Sequence, residues 1–95
     1  MRFRTLIEDR RYSEQCARLG EIPHVDDALT ALYWAISSKA EDCEIIPGSE
    51  WLHLAKSTRL VLMDSIVPRL LVYFRIEDEH EVRLLWIEID PEDAL

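Results

Sequence analysis

Glycine, cysteine and proline are scarce in this chain, at two, two and four residues among 95. So little glycine and proline leaves no stretch that reads as a flexible linker or a low-complexity tail. Two cysteines are too few for the disulfide framework that staples small secreted domains. Cys16 and Cys43 stand outside any CxxC or Cys/His ligand spacing, so no metal centre is expected. Their plainer reading is two reduced, partly buried thiols, although a disulfide between them depends on a separation that sequence does not reveal. The apolar runs 70–74 and 84–87 are far too short to cross a bilayer. The basic start Met1-Arg2-Phe3-Arg4 is followed by no apolar stretch of the kind a signal peptide carries. The expectation is a cytoplasmic protein with no membrane segment and no cofactor.

Basic charge is also short. Eleven Lys and Arg face nineteen Asp and Glu, for a net charge of −8. The imbalance is concentrated: residues 77–95 hold eight acids and one base, Arg83, and so account for seven of the eight net charges. Residues 1–76 are close to neutral. An acidic end repels phosphate backbones and disfavours nonspecific binding to nucleic acid.

What is present suits one globular domain spanning residues 1–95. An apolar fraction of 48 % is normal for a folded protein, and 95 residues can bury a single core. Residues 2–8 alternate, with Phe3, Thr5 and Ile7 on one side, and read as a first strand. Tyr12, Cys16 and Leu19 are spaced as one face of a helix of roughly ten residues that ends at Gly20 in the C′ position. Pro23 then opens a second helix. Asp26 and Asp27 lie in its first turn, where the helix dipole favours acids; Val25, Leu29, Leu32 and Ile36 form its apolar stripe; Lys39 closes it.

Residues 40–50 are polar and contain the turn signal Pro47-Gly48. Residues 51–56 read as a strand. In residues 57–69, the stretch 60–63 either prolongs that strand or opens another, and Pro68 ends it. Residues 70–76 and 82–89 are strands apolar on both sides, joined by the polar turn 77–81, and are expected to form a central antiparallel hairpin. Asp90-Pro91 stops the pattern, and residues 92–95 read as a frayed end. The fold class is therefore α+β: an N-terminal strand, a two-helix hairpin covering one face of a sheet, then a meander of three or four antiparallel strands.

That order, with these residues, resembles the RelE/ParE toxin superfamily of bacterial toxin–antitoxin modules. The resemblance rests on four segments: Val25-Asp26-Asp27-Ala28-Leu29-Thr30-Ala31-Leu32, the turn Ile46-Pro47-Gly48-Ser49 ahead of Trp51-Leu52-His53-Leu54-Ala55-Lys56, the strand Pro68-Arg69-Leu70-Leu71-Val72-Tyr73-Phe74-Arg75-Ile76, and Val82-Arg83-Leu84-Leu85-Trp86-Ile87-Glu88-Ile89. It covers nearly the whole chain. It implies an antitoxin-like protein or another protein as partner. In an active member it also implies a ribosome-dependent endoribonuclease that meets the ribosome and messenger RNA. Lysines and arginines on the sheet, often helped by a C-terminal tyrosine, supply the charge that stabilises a cleaved phosphodiester. Here Leu52 and Leu54 stand where such lysines are expected, leaving Lys56, while Arg69 matches the arginine that begins the central strand. Acids come after the last strand where the family often has bases, and there is no C-terminal tyrosine. The resemblance thus implies the fold more strongly than the nuclease, and it leaves open a noncatalytic interaction module on the same fold.

The candidate catalytic set is Arg69, Lys56, Arg75 and His53. Arg59 joins the same cluster of bases, whose plainer reading is solvated charge at a sheet edge. Arg83 is expected to pair across the hairpin with Glu77 or Glu88. His53 alternates with Trp51 and is the better of the histidines for acid–base work. His80 reads as exposed in its turn, and His24 reads as a helix cap. Glu77, Asp78, Glu79 and Glu81 read as a solubilising turn. Trp34, Trp51 and Trp86 are flanked by apolar neighbours and are expected in the core; an exposed Trp51 would instead offer a surface for stacking a base.

Overall fold

A computed structural model describes residues 3–93. The chain runs β1 (Thr5–Glu8), α1 (Arg10–Leu19), α2 (Val25–Lys39), a 3-10 turn (Ala40–Asp42), β2 (Glu44–Ile45), β3 (Leu52–Lys56), β4 (Leu60–Val61), β5 (Ile66–Val67), β6 (Leu70–Ile76) and β7 (Glu81–Ile89). Five strands form one mixed sheet in the order β1-β7-β6-β3-β2, and β4 pairs with β5 in a small second sheet. Among the described residues no helix is long and apolar enough to cross a membrane.

Local chemistry sets the helix ends. The Asp9 carboxylate accepts from the Arg11 N–H at 3.3 Å and so caps α1. Tyr12 and Leu19 are the residues that this helix buries. Gly20 stays right-handed at φ −60° rather than reversing the chain as a left-handed C′ residue. The left-handed turn falls four residues later, on His24 at φ 62°. His24 precedes α2 but its side chain makes no capping hydrogen bond, so the expected cap is absent. In α2 the stripe Val25, Ala28, Leu29, Leu32 and Ile36 is buried.

The expected central hairpin is present: β6 and β7 pair antiparallel from Leu70↔Ile89 to Ile76↔Val82. Leu85 is the extra residue of a bulge, because Tyr73 faces Trp86 while Phe74 faces Leu84. β3 pairs antiparallel with β6 on its other side. β1 lies parallel to β7, Thr5 beside Glu81, so the five-stranded sheet is mixed, while β2, β3, β6 and β7 form the expected antiparallel run. Val72, Phe74, Val82, Leu84 and Ile87 face the helices and pack with Tyr12, Leu32 and Ile36 into the core.

The three tryptophans are not in that core. Trp34, Trp51 and Trp86 are 52 %, 52 % and 37 % exposed. Trp34 stands two residues beyond Leu32, off the buried stripe; it meets the Phe3 ring edge-on at 6.4 Å and lies beneath the Lys39 ammonium. Trp51 precedes β3 and carries the Arg75 guanidinium over its ring. Trp86 comes just after the bulge and points away from the helices with Tyr73. Cys16 and Cys43 are both free thiols, partly buried as expected.

Candidate functional site

Side chains that do not face the helices form the open side of the sheet. The register sets them in rows: Leu54, Tyr73 and Trp86; Lys56, Leu71 and Glu88; Leu52, Arg75, Arg83 and Ile7. Leu54 and Leu71 are 8 % and 7 % exposed yet lie outside the helix-side core. The centre of this face is therefore apolar and aromatic, and its charged groups lie around the leucines.

Arg75 and Arg83 sit directly opposite one another across the hairpin. Such like-charge neighbours repel, and Glu77 resolves the conflict. Its Oε1 accepts from Arg75 Nε and Nη2 at 3.2 and 2.9 Å and from Arg83 Nε at 2.9 Å. Hydrogen bonds from Arg75 first, then Arg83, hold the Glu77 carboxyl below its usual range. Arg83 thus takes Glu77, one of its two expected partners. Lys56 Nζ lies 3.2 Å from Glu44 on the edge strand.

Arg69, just ahead of β6, is held by acids beyond β7. Its backbone N–H donates to Asp93 Oδ2 at 2.6 Å, its C=O accepts from the Asp90 N–H at 2.9 Å, and its guanidinium Nη1 is 3.4 Å from Asp90 Oδ2. Arg59 Nη1 donates to Asp93 Oδ1 at 3.1 Å. The Arg69 N–H is the main cause that holds the Asp93 carboxyl low, joined by the charges of Arg59 and Arg69 against a burial penalty. Asp90 is buried and also accepts from the Glu92 N–H. This stretch is built into the fold through residue 93, where the sequence pattern alone suggested fraying.

His53 lies elsewhere. It pairs with Phe74 in register, stacks on that ring at 5.3 Å and 15°, and places Nδ1 3.3 Å from the Cys43 carbonyl. It is 8 % exposed on the helix side of the sheet. The structure thus brings Arg75 and Lys56 to the open face, puts Arg69 at its corner, and leaves His53 on the opposite side.

No family model matches the chain, and no curated protein matches it.

Cleaving a phosphodiester calls for cations aimed at developing negative charge. Lys56, Arg69, Arg75 and Arg83 each meet a carboxylate of the same chain. The His53 imidazole, turned onto Phe74, is not on this face to move a proton. What the face offers is an apolar centre of leucine, tyrosine and tryptophan beside arginine, the composition favoured at the energetic centres of protein interfaces. Among the described residues no group of three or more His, Cys, Asp or Glu is placed to hold a metal ion.

Two features were not visible in the sequence. Arg4 ties the chain start to the rest: its Nη2 donates to Glu41 Oε1 at 2.8 Å and its Nε to the Asp78 carbonyl at 2.9 Å. Arg4 is the first cause that pushes the Glu41 carboxyl down to about 2. The second is a pair of phenols, Tyr12 and Tyr33, bonded to each other at 2.5 Å within the helix pair. Tyr12 carried a visible signal, its place on the α1 stripe; nothing in the spacing joined it to Tyr33.

These carboxylates set the acid titration. Glu41 and Glu77 have folded pKa values below the ordinary 4.5. Each contributes stability above that value and loses it as pH falls below about 4.5, Glu41 over the range down to about 2. Urea midpoints measured across this window are expected to drop, and Glu41→Gln is expected to flatten part of the drop. An identical acid profile in Glu41→Gln would contradict the assignment.

Proposed function

We propose that this chain is a RelE/ParE-like toxin-fold protein that does not cleave messenger RNA effectively and acts by holding a protein partner, an antitoxin-like protein, on the open face of its sheet. The carrying observation is the neutralisation of the cations: Lys56 meets Glu44, Arg69 meets Asp90, and Arg75 and Arg83 share Glu77. The helical pair placed between a first strand and an antiparallel run supports the toxin-like fold. The exposed Trp86, in register with Tyr73 and Leu54, and the exposed Trp51 under the Arg75 guanidinium support a protein ligand for the face. A noncatalytic module outside any toxin–antitoxin pair would use the same surface.

The test is co-expression with the product of the adjacent reading frame. A stable complex is expected with the wild-type chain. Trp86→Asp is expected to weaken it at least about tenfold, since a central aromatic often carries more than about 1 kcal/mol. No complex, or a complex that Trp86→Asp and Trp51→Asp leave intact, would contradict the proposal.

A further inference from the structure

The three exposed tryptophans differ in what lies over their rings. Lys39 Nζ is 5.9 Å from the centre of the Trp34 ring, and the Arg75 guanidinium is 5.7 Å from that of Trp51. Among the described residues no cation stands over Trp86. Glu88 follows Trp86 by two residues along β7 and shares its side of the sheet. Tyr73 is the register partner of Trp86, and its phenol donates to the Glu88 carboxylate. The corner made by Trp86, Tyr73 and Glu88 thus has a bare aromatic ring beside a carboxylate that forms no ion pair among the described residues. The surroundings are acidic too. Burial is the first cause that raises the Tyr73 phenol, and the charges of Glu88, Asp90 and Glu44 raise it further. The cations of the face are turned elsewhere, Arg75 and Arg83 to Glu77 and Lys56 to Glu44.

We infer that this corner receives an arginine of the protein partner, its guanidinium lying over the Trp86 ring and bonded to the Glu88 carboxylate. The inference rests on the proposed reading of the open face as a protein-binding surface, and it specifies the partner: a basic segment with apolar residues beside the arginine. The same face holds a template for the contact. Arg75 lies over Trp51 and donates to Glu77, so ring, guanidinium and carboxylate already form one array there. At Trp86 the ring and the carboxylate are present and the guanidinium is left for the partner to bring. Arginine suits the place better than lysine, because its planar group stacks on an aromatic face while its N–H groups meet a carboxylate. Charge points the same way. A chain of net charge −8 draws a basic segment toward it and repels an acidic one, a second copy included.

Two fluorescently labelled synthetic peptides of equal length test the inference by anisotropy: one with a central arginine between leucines, the other with glutamate in place of that arginine. The arginine peptide is expected to bind the full chain at least about tenfold more tightly than its twin. Raising salt from about 0.05 to about 0.5 M should shrink that preference. Glu88→Gln and Trp86→Leu are each expected to weaken the arginine peptide about three- to tenfold, whereas Trp34→Leu, on α2, should leave it unchanged. Trp86 is partly exposed and Gln keeps the shape of Glu88, so both variants should retain the wild-type circular dichroism spectrum and melting temperature. Equal affinity for the two peptides, binding of neither, or a preference that both folded variants keep would overturn the inference. The proposed function would fall separately, through the absence of a complex with the product of the adjacent reading frame.

Discussion

Phe74→Ala is expected to cost about 3–5 kcal/mol, the usual range for removing a buried aromatic. Phe74 is fully buried at the middle of β6, the strand between β3 and β7 in the sheet. Its register partners are His53 on one side and Leu84 on the other, and its ring stacks on the His53 imidazole. Truncation would empty the space between sheet and helices and leave that imidazole without its stacking partner. A domain of this size is commonly stable by about 5–15 kcal/mol, so the variant should be marginal at room temperature. Urea denaturation checks it. A loss below about 1 kcal/mol would mean that this side of β6 is not the core.

Alkaline pH is expected to have a comparable effect through Tyr12. Its phenol is fully buried and bonded to the Tyr33 hydroxyl. Burial is the main cause that pushes the Tyr12 phenol far above its ordinary value of 10.0, and the bond to Tyr33 adds to it. Burial raises Tyr33 as well. An unfolded tyrosine loses its proton above about pH 10 while buried Tyr12 keeps it. The unfolded state then binds fewer protons, so stability falls as pH rises, by about 1.4 kcal/mol per pH unit for each tyrosine held in this way. Between about pH 10 and 12, Tyr12 alone should remove about 2–3 kcal/mol. The pH dependence of urea midpoints, wild type against Tyr12→Phe, isolates its share. Equal alkaline slopes in the two proteins would contradict the buried phenol pair.

Elements with a strong local period were legible. The stripe Val25, Leu29, Leu32 and Ile36 marks α2, and the two apolar runs around the polar turn mark the β6–β7 hairpin. Long-range pairing was not. Thr5 lies beside Glu81 in a parallel ladder, and periodicity says nothing about which distant strand a short edge strand will join. β2 has two residues and β4 and β5 two each, too few to show a period at all. The tryptophans misled because apolar neighbours in sequence do not reveal which side of an element a residue takes. For the site, a short turn brings Arg83 within reach of Glu77, so that pair was readable. The hold of Asp90 and Asp93 on Arg69 was not, since nothing local joins residue 69 to residues 90 and 93. His53 was placed with Trp51 by alternation, but Trp51 lies outside β3, and His53 turns inward onto Phe74.

The proposed function depends most directly on whether the ion-paired arginines and lysine still cut RNA. The decisive measurement is the mapping of messenger RNA ends on translating ribosomes after induced expression of the chain alone. Transcripts are expected to show no discrete cuts, with growth and end profiles indistinguishable from those of Arg69→Ala. Strong growth arrest with discrete cuts in the ribosomal A site, abolished by Arg69→Ala, would contradict the proposed function and establish an active nuclease.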